Sequence, residues 1–285
     1  MTPLVFVRAS LPPAYWVPGP GSWPCRGHGR VRQGLRARHV EAIPISAKDT
    51  NLTTAAVIPA AGRGVRLGPG APKALRTLGG VPILVHAVRA MTRARAVSLV
   101  VVVAPPDGVA EVRALLDSHG LPEAKDIRIV AGGESRQDSV RLGLAALPDE
   151  VEVVLVHDAA RPLVPVDMVD AVAAAVRDGA PAVVPGLPLA DTVKEIDPAT
   201  EAVVGTPDRS LLRAVQTPQG FDRATLLKAH TTVTGAVTDD ASMVERLGVQ
   251  VLVVPGHEEA FKVTRPLDLV LAEAVLARRR ATDDY

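Results

Sequence analysis

Residues Val97–Ala104 read Val-Ser-Leu-Val-Val-Val-Val-Ala, a nearly continuous β-branched run. A strand that is apolar at successive positions is covered on both faces, which is the habit of parallel sheets sandwiched between helices. Comparable runs recur at Ala55–Pro59, Ile127–Ala131, Val151–His157 and Ala182–Pro185. Between them lie segments with helical character: Ile83–Arg95, Asp107–His119 with Asp107 as N-cap, Arg136–Leu147 and Val166–Arg177. Strand–helix alternation of this kind predicts an α/β chain with a doubly wound, mostly parallel sheet.

The alternation breaks at about 188–207. There, 192–196 and 201–205 flank the turn signal Asp197-Pro198-Ala199-Thr200. The expectation is a hairpin arm projecting from the sheet. Two strands alone are marginal in water, so the arm either pairs with a second subunit or packs as a flap on its own domain. Helices near Arg223–His230 and Asp239–Leu247, a strand at Val249–Val254 and a closing helix at Pro266–Arg280 complete the pattern.

Composition narrows the class. The 285 residues are 47% hydrophobic but only 2% aromatic, so the core is built from Val, Leu, Ile and Ala. No apolar run is long enough to cross a bilayer. A net charge of +1 argues against a nucleic-acid partner, and the single Cys25 excludes an internal disulfide framework and fits a reducing cytoplasm. Six Arg and one Lys in residues 1–54 face only Glu41 and Asp49. Residues 1–52 show no period of either regular structure. They read as a disordered extension preceding one domain over 53–285, with a targeting peptide as the alternative.

The first chemical signal follows the first strand: Pro59-Ala60-Ala61-Gly62-Arg63-Gly64-Val65-Arg66-Leu67-Gly68, then Pro72-Lys73. A glycine-rich turn at a strand end lets backbone N–H groups approach a phosphate. From Thr50 to Pro106 there are seven Lys and Arg and no acid, a balance suited to a nucleoside triphosphate. The Walker loop is excluded because Lys73 lies five residues past Gly68 and precedes Ala74. The dinucleotide fingerprint is excluded because Leu67 replaces its third glycine and no acid lies between Gly68 and Asp107.

Three further segments fall at carboxyl ends of expected strands, where ligands bind in open α/β sheets. The loop Gly132–Ser139 permits close backbone approach, with Ser139 entering the next helix. It reads either as a base-recognition loop or as an ordinary turn capped by Ser135 or Asp138. In His157-Asp158-Ala159-Ala160-Arg161-Pro162, Asp158 suits Mg²⁺, which takes one or two carboxylates plus phosphate oxygens. The alternative is a structural Asp158–Arg161 ion pair. His157 reads as a hydrogen-bonding support. Lys262, in Phe261–Pro266, precedes a Pro-initiated helix with Asp268 in its first turn.

Together these segments resemble the 2-C-methyl-D-erythritol 4-phosphate cytidylyltransferase family. The resemblance rests on Pro-Ala-Ala-Gly-x-Gly-x-Arg at 59–66, Pro-Lys at 72–73, Gly-Gly-x-x-Arg-x-Asp-Ser at 132–139 and Val-His-Asp-Ala-Ala-Arg-Pro at 156–162. It extends through Asp-Thr-Val-Lys at 191–194, Asp-Arg at 208–209, Thr-Pro-Gln at 217–219, Thr-Asp-Asp at 238–240 and Lys-Val-Thr-Arg-Pro at 262–266.

The resemblance implies a Rossmann-like nucleotidyltransferase fold, CTP and Mg²⁺ as ligands, pyrophosphate release and a homodimer joined through the arm. It implies Arg66 and Lys73 at the triphosphate and Asp158 on the metal. Ala60, Ala61, Gly62, Gly64, Gly133, Glu134 and Ser139 would lie about the nucleotide. Arg161, Thr192, Arg209, Thr238 and Lys262 would surround the sugar phosphate, with Thr192 and Arg209 coming from the partner subunit. Lys262 also counts among the catalytic cations, and Glu259 is a candidate second metal carboxylate. Rival readings are a ribitol-5-phosphate cytidylyltransferase, a hexose-1-phosphate nucleotidyltransferase and a non-catalytic nucleotide sensor.

Overall fold

A computed structural model describes residues 53–62, 76–121, 125–235 and 237–282. In chain order the elements are β1 (Thr53–Pro59), β2 (Thr77–Leu78), β3 (Val81–Pro82), α1 (Ile83–Arg93), β4 (Val97–Ala104), α2 (Val109–Asp117), β5 (Asp126–Ala131) and α3 (Arg136–Ala145). They continue with β6 (Val151–Val156), α4 (Val166–Arg177), β7 (Ala182–Pro188), β8 (Glu195–Ile196), β9 (Val203–Gly205), β10 (Arg213–Val215) and β11 (Gln219–Asp222). The last are α5 (Arg223–Thr232), α6 (Asp240–Arg246), β12 (Leu252–Pro255) and α7 (Pro266–Ala281).

Eight strands form one sheet, ordered β10-β7-β11-β6-β1-β4-β5, with β12 beside β7. The pairings β5–β4, β4–β1, β1–β6 and β7–β12 are parallel, whereas β11 and β10 run antiparallel to their neighbours. Strand parity divides the core. Ala56, Ile58, Val100 and Val102 face α1 and α4, together with Val85, Val88, Val169 and Val172. Val57, Val101 and Val103 face the other way, packing with Val140, Leu144, Phe221 and Leu226. Each large aliphatic side chain so buried stabilises the fold by about 1.5–3 kcal/mol, which explains how a sheet this wide forms with few aromatics.

The order also sets where a ligand sits. From β1 the chain steps through β4 to β5, then returns to place β6 on the opposite side of β1. Crossovers leaving in opposite directions open a crevice at the carboxyl ends of these strands.

Several expectations shift. Helix α2 begins at Val109, and its N-cap is Gly108 with no side-chain bond, so Asp107 is not the cap. The last strand starts at Leu252, three residues later than its apolar run. Strands β10 and β11 were not foreseen: both are short, and neither carries a periodic pattern. In the 188–207 region Pro188 still pairs with Arg213 as the end of β7, and beyond it only β8 and β9 pair, Glu195 with Gly205 and Ile196 with Val203. The turn between them is closed by Asp197, whose Oδ1 accepts from Ala199 N–H at 2.8 Å, and Glu201 there adopts φ 56°. No described helix is long and apolar enough to cross a membrane.

Candidate active site

Three strand ends build one cleft. The β1 end supplies Ala60–Gly62, tied to the neighbouring strand by Ala60 N–H to Val103 C=O at 2.8 Å. The β5 end supplies Gly132–Ser135, started by Gly132 N–H to Ala104 C=O at 2.8 Å. The β6 end supplies His157–Arg161. The resulting cleft, about 260 Å³, is walled by Ala60, Ala61, Gly62, Gly133, Glu134, Ser139, Asp158 and Lys262, all singled out from sequence. Pro59, Ser135, Arg136, Ala159 and Ala160 complete it. Gly64, Arg66 and Lys73 lie outside the described residues.

The Gly132–Ser139 loop is at once a capped turn and a close approach. Ser135 caps α3 by accepting from Asp138 N–H at 3.0 Å. Ser139 Oγ donates to Ser135 C=O at 2.9 Å and accepts from Gly133 N–H at 3.2 Å. A Cβ on Gly132 would stand 2.7 Å from Ala61 Cβ, and one on Gly133 2.5 Å from Asp138 Cβ. Both glycines are therefore required by packing.

Asp158 is the focus of the charge. Lys262 Nζ is 2.7 Å from its Oδ2, Arg161 Nε 3.9 Å from the same oxygen, and Arg136 Nε 3.5 Å from Oδ1. Burial disfavours the carboxylate, but these cations outweigh it and hold its pKa well below the usual range. Lys262 and Arg136 thereby stand as cations in the cleft wall, where an anionic ligand can meet them.

Lys262 is delivered by backbone tethers. Val263 N–H donates to Ala160 C=O at 2.8 Å, and Arg161 Nη1 to Ala260 C=O at 2.6 Å. Behind them Asp268 Oδ2 accepts from Thr264 N–H and Arg265 N–H, each at 2.7 Å, starting α7.

Beneath Asp158 runs a buried chain of hydrogen bonds. Asp158 N–H donates to Thr217 Oγ1 at 3.0 Å, the Thr217 hydroxyl to His157 Nδ1 at 3.1 Å, and His157 Nε2–H to Arg161 C=O at 3.1 Å. The terminal carbonyl can only accept, so the proton of the neutral ring sits on Nε2. Burial pushes His157 down to about 4. His157 thus supports Asp158 and carries no charge at neutral pH.

Arg161 is 9% exposed and spends its guanidinium on the carbonyls of Ala260 and Val215. It stands behind Asp158 and is not among the cleft walls. Thr192, Arg209 and Thr238 are exposed and also lie outside the cleft of a single chain. Glu259 is held by Arg279, whose Nε is 2.8 Å from its Oε2, and by Arg278. It does not line the cleft, so its candidacy as a metal carboxylate is not supported.

Sequence reasoning gave Arg136 no role, although it stands inside a motif read as a nucleotide loop. Its strongest partner is Asp240, with Nη1 to Oδ2 at 2.7 Å. That pairing joins residues distant in sequence, and only the adjacent acids Asp239-Asp240 hinted at it.

The family model described as IspD, 2-C-methyl-D-erythritol 4-phosphate cytidylyltransferase, matches residues 54–278. The chain is 75% identical over 237 residues to a protein of that name from Streptomyces avermitilis, covering 81% of this chain and 95% of the relative. It is 60% identical over 230 residues to one from Frankia casuarinae, covering 81% and 84%. Among solved structures, that of 2-C-methyl-D-erythritol 4-phosphate cytidylyltransferase from Thermus thermophilus superposes with a TM-score of 0.62 at 36% identity, covering 79% of this chain and 98% of that one. The chain belongs to the 2-C-methyl-D-erythritol 4-phosphate cytidylyltransferase family.

Proposed function

We propose that the protein transfers CMP from CTP to 2-C-methyl-D-erythritol 4-phosphate, giving 4-diphosphocytidyl-2-C-methyl-D-erythritol and pyrophosphate for isoprenoid precursor synthesis. The observation that carries this reading is the convergence of Ala60–Gly62, Gly133–Glu134, Asp158 and Lys262 on one cleft in a chain of this family. An acceptor phosphate oxygen attacks the α-phosphorus of CTP. One P–O bond forms there, and the bond to the bridging oxygen of pyrophosphate breaks. Such a displacement needs positioning and neutralisation of equatorial charge more than proton chemistry.

The roles follow from position. Backbone groups at Ala60, Ala61, Gly62, Gly133 and Glu134, with the Ser139 hydroxyl, receive the cytosine and ribose. By the resemblance, Gly64 would also serve the nucleotide, and Arg66 and Lys73 would supply cations for the α-phosphate and the departing pyrophosphate. Lys262 neutralises charge at the reacting phosphate, and Arg161 holds Lys262 and Asp158 in register. Asp158, ionised and facing the cleft, fits a Mg²⁺ ion, since that ion accepts a single protein carboxylate alongside phosphate oxygens. Bound there, the ion would neutralise triphosphate charge.

Thr192, Arg209 and Thr238 form the acceptor side, with Thr192 and Arg209 reaching the cleft from a second subunit. Ile196, Val203 and Val204 on the arm are 50%, 57% and 62% exposed, and a homodimer through β8 and β9 would cover them. CTP and a single cysteine favour the cytoplasm as the compartment.

The test is product formation by the purified chain given CTP, Mg²⁺ and either methylerythritol phosphate or ribitol 5-phosphate. Pyrophosphate release with the first acceptor and little with the second is expected. The reverse preference, or nucleotide binding without release, would overturn the reading. Light scattering checks the dimer, and Val204→Lys should yield monomers.

A further inference from the structure

Arg136 has two carboxylates within reach and satisfies them unequally. Its Nη1 lies 2.7 Å from Asp240 Oδ2, whereas its Nε stands 3.5 Å from Asp158 Oδ1. Asp240 is itself fixed: His230 Nε2 donates to its other oxygen at 3.0 Å, and both side chains are 1% exposed. The carboxylate is set by an N-terminal capping box, in which Asp239 Oδ1 accepts from Ser242 N–H at 2.9 Å. Gln219 clamps the same turn, its Nε2 donating to Asp239 Oδ2 at 2.7 Å and its Oε1 accepting from Ala241 N–H at 3.2 Å. Asp240 is thus an immobile anion behind the cleft wall.

A planar guanidinium beside a carboxylate ordinarily closes to a bidentate pair near 2.8 Å. Arg136 does not do so with Asp158. The stronger pull comes from Asp240, where burial removes competition from water. Oδ2 of Asp158 is already taken by Lys262, so Oδ1 is the oxygen left to a further ligand.

We propose that Asp240, held by His230, restrains Arg136 from closing on Asp158 and so keeps Asp158 Oδ1 available to the divalent cation that accompanies the nucleotide. Asp240 and His230 are positioning residues, and Arg136 is a cleft cation whose place they set. The inference rests on the functional reading above for the identity of nucleotide and ion.

Mn²⁺, observed by electron paramagnetic resonance at saturating CTP without acceptor, reports the metal site with no turnover. Asp240→Asn should weaken Mn²⁺ by about 10- to 100-fold, the usual effect of disturbing groups behind a ligand. CTP binding without metal should hold. Arg136→Ala should do the opposite, lowering metal-free CTP affinity while keeping Mn²⁺ affinity in the saturated complex. In the double variant, Mn²⁺ affinity should return to the Arg136→Ala value, a rescue that a purely structural role for Asp240 would not give.

Wild-type Mn²⁺ affinity in Asp240→Asn, or a double variant as weak as Asp240→Asn alone, would overturn the proposal. Should Asp240→Asn fail to fold, Arg136→Ala decides by itself, because weakened Mn²⁺ there would make Arg136 a support of the site. A wild-type protein that binds Mn²⁺ and CTP but transfers no CMP would sink the functional reading while leaving the order of affinities to judge this one.

Discussion

Lys262 Nζ lies 2.7 Å from Asp158 Oδ2, across two loops registered by the Val263 N–H to Ala160 C=O bond. The pair is asymmetric in burial: the lysine side chain is 39% exposed and the aspartate 12%. Both line the cleft, and the lysine is the more open of the two.

Replacing Lys262 should separate function from stability. Lys262→Met keeps the aliphatic stem and removes the ammonium. A fixed donor aimed at developing charge is worth about 10²–10³-fold in rate, so kcat/KM should fall by that order. The folded state loses little, since the ammonium is partly exposed, where an ion pair contributes about 0–1 kcal/mol, and Arg136 and Arg161 still face Asp158. Steady-state kinetics with a thermal melt checks both. A large loss of stability with the loss of rate would make Lys262 a structural residue.

Thr217 should behave in the contrary manner. It is 5% exposed and joins Asp158 N–H to His157 Nδ1 through one hydroxyl. Thr217→Val preserves shape but orphans both partners. Each buried unsatisfied group costs about 1–3 kcal/mol, so an unfolding free energy from urea lowered by roughly 2–6 kcal/mol in all is expected, with reduced turnover as the Asp158 backbone relaxes. Thr217→Ser retains the hydroxyl and should recover most of the loss.

Two glycines of the cleft make an internal control. A Cβ at Gly133 would sit 2.5 Å from Asp138 Cβ, an atom rooted in the backbone of α3, whereas one at Gly62 meets nothing within 4 Å. Gly133→Ala should destabilise by about 1–3 kcal/mol as an overpacked site and raise KM for CTP. Gly62→Ala should keep its stability and raise KM alone. Denaturation curves alongside CTP titrations distinguish the two.

Much of this site was legible before any coordinates, and for a physical reason. A strand covered on both faces announces itself by its apolar run, so the strand ends, and the residues just beyond them, are marked on the chain. Val97–Ala104 and Val166–Arg177 fall at their expected limits. What stayed hidden depended on contacts between distant segments. Strand β11 is buried although it contains Gln219 and Gly220, because Gln219 spends its amide on the turn before α6 and Gly220 admits Val172, whose Cγ1 would lie 2.7 Å from a Cβ. Neither residue carries a strand signal alone. Arg136 escaped for the same reason, its anion being contributed by α6. Arg161, a sugar-phosphate contact by the resemblance, commits its guanidinium in the single chain to the main-chain carbonyls of Ala260 and Val215, a use that no sequence pattern marks.

A final prediction concerns acid stability. His86 is 2% exposed on α1, and its Nε2–H donates to Leu78 C=O at 2.9 Å. Burial, reinforced by the Arg89 and Arg280 charges, lowers its pKa below the ordinary 6.5, despite the opposing bond to Leu78. The neutral ring is thus the folded form, and the unfolded chain binds the proton more readily. Stability from this group is fully present above about pH 6.5 and drains away as pH falls toward the lower folded value. His86→Gln can keep a donor toward Leu78 but does not titrate. Unfolding free energies from urea at pH 7.5 and 5.5 should therefore differ less in His86→Gln than in the wild type. An equal or steeper dependence in the variant would mean that His86 is already charged in the folded protein.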